Sequence, residues 1–278
     1  MTEPVGSSTT WPSPGPHDGP VVVGVVRDQP GALEAAMVEA MRRGSVLRVV
    51  HAAGSTADDG QAVLDDARSF VRQAPVAPTV EYVLSHQGPL AALLQEAQTA
   101  SCLVVGTDEV TWFERLVGGE VSTRLARLAS CAVLVVPESA PQGIARHDVV
   151  LALDVGTSAG PTLAAAFEQA ERRRSRLRVL HATESDGDAS GGGSASGELA
   201  RLVAREQQGH PEVRVVAHTV RGEADAACLK AGERAGLLVL GRPRPLRVGG
   251  LLSRPVALRV LRAAHCPVLV ATGEPARP

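Results

Sequence analysis

Leu47-Arg48-Val49-Val50-His51-Ala52 is nearly restated further along the chain as Leu177-Arg178-Val179-Leu180-His181-Ala182. Leu103-Val104-Val105-Gly106 returns as Leu238-Val239-Leu240-Gly241, and Cys131-Ala132-Val133-Leu134-Val135 as Cys266-Pro267-Val268-Leu269-Val270. Three matches in one order are the mark of a tandem duplication, and the repeat decides the fold before any single element is assigned. The offset between partners grows from 130 to 135 residues, and an insertion in the Gly/Ser-rich stretch at residues 185–197 absorbs most of that drift.

With 278 residues in the chain, each copy holds roughly 125, the size of an ordinary domain with its own core. Hydrophobic residues make up 44% and aromatics only 2%, so the core must be aliphatic, built from Val, Leu and Ala. Lys230 is the only lysine; every other basic residue is arginine. A net charge of −2 gives no global field toward nucleic acid or an anionic membrane, and no apolar run reaches the ~18 residues of a span. Residues 1–19 are rich in Pro, Ser, Thr and Gly and lack the apolar core of a secretory signal. They are expected to be a disordered tail on a cytoplasmic protein. The cysteines Cys102, Cys131, Cys228 and Cys266 form no CxxC and are expected to be buried free thiols behaving as small hydrophobes.

Each copy alternates strand and helix. Val21-Val22-Val23-Gly24-Val25-Val26 is a continuous apolar run, as in a strand covered on both faces. Leu33, Ala36, Met37 and Ala40 follow at helical spacing, ending in Arg42-Arg43-Gly44; the second copy repeats this with Leu163, Ala166, Phe167, Ala170 and Arg172-Arg173-Arg174. The arginines suit the negative end of a helix dipole. Further strands are expected at 47–51, 79–84, 132–136, 177–181, 213–217 and 267–271, and others ending at Gly106 and Gly241. Further helices are expected at 58–74, 89–100, 121–129, 198–208, 223–235 and 256–264. A loop of about a dozen residues precedes the last helix of each copy. This alternation predicts an α/β protein with two doubly wound, parallel-sheet domains.

These stretches, taken in order, resemble the universal stress protein family: Val-Val-Val-Gly-Val, the Arg-Arg-Gly helix end, Leu-Arg-Val-Val-His-Ala, Val-Val-Gly-Thr and Ser-Cys-Ala-Val-Leu-Val-Val-Pro. Leu153-Asp154 and His-Cys-Pro-Val-Leu-Val carry the same resemblance in the second copy. It implies two Rossmann-like five-stranded sheets of order 3-2-1-4-5, paired as an intramolecular pseudo-dimer with their last strands near a shared axis. The expected layout is a tail at 1–19, domain 1 at 20–138, a linker at 139–146, domain 2 at 147–272 and a tail at 273–278.

Many members of that family bind ATP through G-x2-G-x9-G-[ST] after the fourth strand, with an aspartate closing the first strand. Such glycines let backbone N–H groups and a helix N-terminus approach phosphate oxygens. In the first copy, Gly106 and Gly119 hold the first and third glycine positions, but Glu109 takes the middle one, Glu120 the Ser/Thr position and Val26 the aspartate position. Thr107 and Ser122 remain as donors. Two like charges 4 Å apart repel by ~4 kcal/mol at an effective dielectric of 20, which is about three decades of affinity. In the second copy Asp154 and Gly241 match, whereas Arg244, Arg254 and Pro255 replace the rest; with Arg242 and Arg247 they could form a cationic mouth. The low-affinity remnants of a nucleotide site are therefore Gly106, Thr107, Gly119, Ser122, Asp154, Gly241, Arg242 and Arg254.

Other constellations add little. His51 and His181 sit where a strand ends, a position better suited to local capping than to a ligand. No spacing suggests a metal site. Trp112-Phe113 lies between the fourth strand and the next helix, as local packing, a lid or a partner surface. No nucleophile elbow, Walker lysine or dinucleotide glycine motif is present. The expected protein is a non-enzymatic tandem member that acts in stress response through contacts with an unknown protein partner. ATP or another adenine nucleotide would bind weakly or not at all, and homodimerisation is left open. The alternative is an ATP/AMP-type regulatory switch in the second domain.

Overall fold

Strands β1 (Val21–Gly24), β2 (Leu47–Ala52), β3 (Val80–Ser85), β4 (Cys102–Thr107) and β5 (Ala132–Pro137) alternate in the first half with helices α1 (Pro30–Arg43), α2 (Gly60–Gln73), α3 (Pro89–Glu96) and α4 (Glu120–Leu128). The second half repeats the series as β6 (Asp148–Ala152), α5 (Ala159–Arg173), β7 (Leu177–Thr183), α6 (Gly192–Gly209), β8 (Val215–Arg221), α7 (Ala224–Gly232) and β9 (Ala235–Gly241). A short hairpin, β10 (Leu246–Val248) and β11 (Leu251–Ser253), precedes α8 (Val256–Ala263) and β12 (Val268–Ala271). The structure, a computed structural model, describes residues 19–27, 29–53, 60–107, 120–138, 140, 148–153, 159–183, 192–242, 246–248, 251–253 and 256–272.

The strands of both halves form one ten-stranded sheet in the order β3-β2-β1-β4-β5-β12-β9-β6-β7-β8. Each half is parallel throughout, in the predicted 3-2-1-4-5 order, and the halves meet where β5 pairs antiparallel with β12. The register there is Val135↔Val268, Leu134↔Leu269 and Val133↔Val270. Leu134 thus faces its own repeat equivalent, and a pseudo-twofold axis passes between the two. Because the halves run antiparallel, the carboxyl ends of their strands open at opposite ends of the sheet.

The strand run is apolar at consecutive positions because both faces are covered. Val21 and Val23 join one core with α1, α2 and α5, while Val22 joins the other with Leu93, Leu125 and Val260. Each core includes residues from both halves, so the apolar interior does not stop at the axis.

The end of α1 shows what its arginines do. Gly44, at φ 65°, closes the helix in a left-handed cap, with its N–H bonded to Met41 and that of Ser45 bonded to Ala40. The second half builds the same cap with Arg174 at φ 50°, its N–H on Glu171 and that of Ser175 on Ala170; this is the Schellman arrangement, for which glycine is the usual residue. One turn earlier, Glu39 is 1% exposed. It accepts hydrogen bonds from Arg43 Nε at 2.8 Å, Gln169 Nε2 at 2.9 Å and Arg173 Nη1 at 3.1 Å. The last two cross the axis. Arg43 and Arg173 are therefore ligands of a buried carboxylate rather than solvated dipole partners. Burial alone would raise the Glu39 carboxyl; Arg173, Arg43 and the Gln169 hydrogen bond reverse this and bring its pKa down to about 2.

Several boundaries differ from expectation. Helix α6 starts at Gly192, six residues before its predicted start at 198, inside the Gly/Ser-rich stretch. Strand β8 runs to Arg221 rather than 217 because it pairs with β7 residue by residue through Thr183↔Arg221. Helix α3 ends at Glu96, where Ala97 caps it, rather than at 100, and α7 ends at Gly232 rather than 235. The β10–β11 hairpin replaces the expected loop.

Candidate functional site

In a doubly wound sheet, ligands settle at the carboxyl ends of the strands, where the chain switches from one side to the other. In the first half that point lies between β1 and β4. A cleft of about 380 Å³, including space open to solvent, sits there, lined by Val25, Val26, Val50, Pro89, Leu93 and Val105 among others. Among the described lining residues, Gln29 is the one whose side chain carries a polar group. Val26, at the position where the family resemblance implies an aspartate, gives this lining only methyl groups.

Gly106 ends the buried part of β4, and the first turn of α1 packs over it. A Cβ built there would meet Gln29 Oε1 at 3.0 Å and the Ala32 Cβ at 3.4 Å. The space made by having no side chain at Gly106 is thus taken by the Gln29 carboxamide. Gln29 Nε2 is buried and has no hydrogen-bond partner among the described residues. Thr107, the last residue of β4, is half-buried beside Pro137 of β5.

His51 and His181 tie strand ends together. His51 Nδ1 lies 2.9 Å from the Val25 carbonyl, and His181 Nδ1 lies 3.2 Å from the Leu153 carbonyl. A carbonyl only accepts, so Nδ1 carries the proton in each. These side chains hold the residue just past the end of β1 or β6 against the neighbouring strand, the capping role their positions suggested.

In the second half, Gly241 is overlain by Thr162, whose Oγ1 lies 3.3 Å from where a Cβ would stand. Arg242 follows at the mouth and reaches across the axis: its Nη2 donates to the carbonyl of Ala129, just past the end of α4. A helix C-terminus carries partial negative charge, so this guanidinium already has a carbonyl acceptor at a partially negative helix end in the other half. Gly119, Asp154 and Arg254 lie outside the described residues, as do Glu109, Arg244 and the Trp112-Phe113 pair; for Ser122 only the backbone, in α4, is described. The structure therefore brings Gly106 and Thr107 to one mouth and Gly241 and Arg242 to the opposite one.

Sequence reasoning missed Gln29, Glu39 and the hairpin. Gln29 stands just before Pro30, which marks a helix start, and helix-start residues face the carboxyl edge. The hairpin strands flank Gly249-Gly250, a two-residue turn signal. Glu39 had a partial signal: it falls three residues after Ala36 and four before Arg43, on the edge of the apolar stripe. Among the described residues no cluster of His, Cys, Asp and Glu could hold a metal, and no helix is long and apolar enough to cross a membrane.

The fold and the position of the cleft define a tandem Rossmann-like α/β protein built around a pseudo-twofold axis. The Universal stress protein family profile matches it twice, at residues 20–137 and 145–272. The chain belongs to that family. It is 29% identical over 267 residues to Universal stress protein Rv2028c of Mycobacterium tuberculosis, covering 90% of this chain and 95% of that one. It is 29% identical over 236 residues to Universal stress protein Rv2623 of the same organism, covering 77% and 76%. Among solved structures, a universal stress protein from Archaeoglobus fulgidus superposes with a TM-score of 0.66 at 15% identity, over 92% of this chain and 97% of that one, a likeness of fold.

Proposed function

We propose that this chain is a non-enzymatic universal stress protein that works in stress response as a rigid two-half platform for protein contacts, with ATP held weakly or not at all. The observation that carries the reading is the aliphatic mouth of the first half, with the Gln29 carboxamide over Gly106. Gln29 covers Gly106, Val26 stands at the position of the family's aspartate, and the described lining residues include no charged side chain. A triphosphate needs several donors and positive potential close to its oxygens; a single carboxamide among aliphatic side chains supplies neither. The sequence adds Glu109 and Glu120 where a glycine and a hydroxyl would serve. In the second half, the commitment of Arg242 to the end of α4 counts against a nucleotide switch, because that guanidinium would have to leave its carbonyl to grip phosphate.

Calorimetric titration of ATP–Mg into the full chain tests the reading, with no saturable heat expected up to high micromolar nucleotide. A submicromolar dissociation constant would overturn it. Thermal-shift screening with ATP, ADP, AMP and cyclic nucleotides extends the test. Stabilisation by any of them that vanishes in Asp154→Ala would restore the switch.

A further inference from the structure

Glu39 and Gln169 are repeat equivalents, 130 residues apart, and they touch each other across the pseudo-twofold axis with the amide donating to the carboxylate at 2.9 Å. We infer that this pair makes the central interface heterotypic, so that a first half accepts a second half in preference to another copy of itself. At an axis, two identical surfaces place each residue opposite its twin. Two first halves would set carboxylate against carboxylate at hydrogen-bond distance, each still beside an Arg43 but with no amide donor between them. Two second halves would set amide against amide, leaving two Arg173 guanidiniums with no anion in place of Glu39. Only the mixed pair sets an amide N–H donor against a charged carboxylate that also has guanidiniums from both halves.

The surroundings make a mismatch costly. Arg43 and Arg173 are each 9% exposed and Glu39 1%, so solvent screens little of any imbalance. On α1, Arg42 and Arg43 face the site; burial and Arg173 lower the Arg42 pKa to about 10. From α5 come Glu168, Gln169, Arg172 and Arg173, with Arg172 bonded to Glu168 and to the Arg42 carbonyl. Beneath them lies Cys102, whose thiol is pushed up to about 12 by burial, with Cys131 near it. No other carboxylate reaches Arg43 and Arg173 together among the described hydrogen bonds.

The test uses the full chain in four forms: wild type, Glu39→Gln, Gln169→Glu and the double exchange Glu39→Gln/Gln169→Glu. At neutral pH each single variant should melt roughly 5–10 °C lower, and the exchange should regain more than half of that loss. Residues that merely pack would give additive losses instead. Acidification to about pH 5 should narrow the deficit of Gln169→Glu, because two touching carboxylates cannot both stay ionised, and should not narrow that of Glu39→Gln. Should a single variant fail to fold, a folded exchange variant supports the inference and an unfolded one overturns it.

Partner choice is read by adding Leu134→Cys to all four forms. Position 134 meets its own twin only if two first halves pair, at the Cα separation a disulfide needs. Under oxidative refolding, covalent dimer in excess of the same chains without the reporter should be several-fold higher in the single variants than in wild type or the exchange. Equal dimer in all four, or an exchange variant that loses as much as both singles combined, would overturn the inference.

Discussion

Acid should weaken this protein through Glu39 in a way a single substitution can isolate. A carboxyl held at about 2 in the fold, against an ordinary 4.5, contributes about 3 kcal/mol at neutral pH. Glu39 is 1% exposed, so solvent screening removes little of that figure. The depressed value is the folded one. Its contribution is therefore fully present above pH 4.5 and disappears as pH falls toward 2, with about 2 kcal/mol gone by pH 3. Other carboxylates also titrate in this window, but they do so equally in wild type and in Glu39→Gln. Urea unfolding of both proteins from pH 7 down to pH 3 gives the difference in stability at each step. That difference should stay level from pH 7 to about pH 5 and then narrow by about 2 kcal/mol by pH 3. A gap that stays constant to within about 0.5 kcal/mol would mean that the carboxylate titrates normally and that its guanidinium partners contribute little.

Two further outcomes follow from local geometry. Arg174 sits at φ 50° in a helix cap where its equivalent is Gly44, and the left-handed conformation costs a side-chain-bearing residue about 1–2 kcal/mol. Arg174→Gly should raise stability by roughly 0.5–1 kcal/mol after glycine's own entropy cost, and an unchanged or lower urea midpoint would contradict this. All four cysteines are buried, and burial lifts Cys102 to about 12 and Cys131, Cys228 and Cys266 to about 11. Ellman's reagent should therefore react with the native chain only at the rate of local opening, and rapid release of even one equivalent would refute the packing around that thiol.

The strands were legible because they are covered on both faces: a run such as Val21-Val22-Val23 has no competing helical period. The strand order was not. It came with the family resemblance, since alternation of elements fixes parallel pairing but not which strand lies in the middle. Boundaries failed where a neighbour decides them, as with β8, whose length follows β7 through seven paired residues. At the mouth of the first half, loss of the aspartate was readable at Val26, whereas the carboxamide over Gly106 was not, because that contact joins residue 29 to residue 106 through the turn of a helix. Sequence alone gives the arginines ending α1 and α5 only the role of dipole partners, because their carboxylate lies within the helix, four residues before Arg43, and its second-half partners come from across the axis. A sequence shows i,i+4 pairs; it does not show which helix faces which.

Among the described residues three pairs of repeat equivalents meet across the axis, Leu134 with Leu269, Glu39 with Gln169, and Arg172 with the Arg42 carbonyl, and the first two differ in what symmetry would allow. Leu134 opposite Leu269 is self-complementary and would serve equally well in a dimer of identical halves. Glu39 opposite Gln169 would not, since an axis in a true homodimer forces every residue on it to match itself. Joining the halves in one chain removes that constraint, because the two sides of the axis then have separate codons and can become donor and acceptor. The same freedom operates at the two mouths. In the first half, Thr107 stands where the second half has Arg242, so at this position the second mouth alone sends a cation across to the end of a helix in its partner. Since the mouths open at opposite ends of the sheet, neither change disturbs the other, and the shared core between them needs only its apolar volume kept. Divergence at the edges and on the axis, over a conserved aliphatic interior, is the outcome that duplication within one continuous sheet permits and that a symmetric dimer forbids.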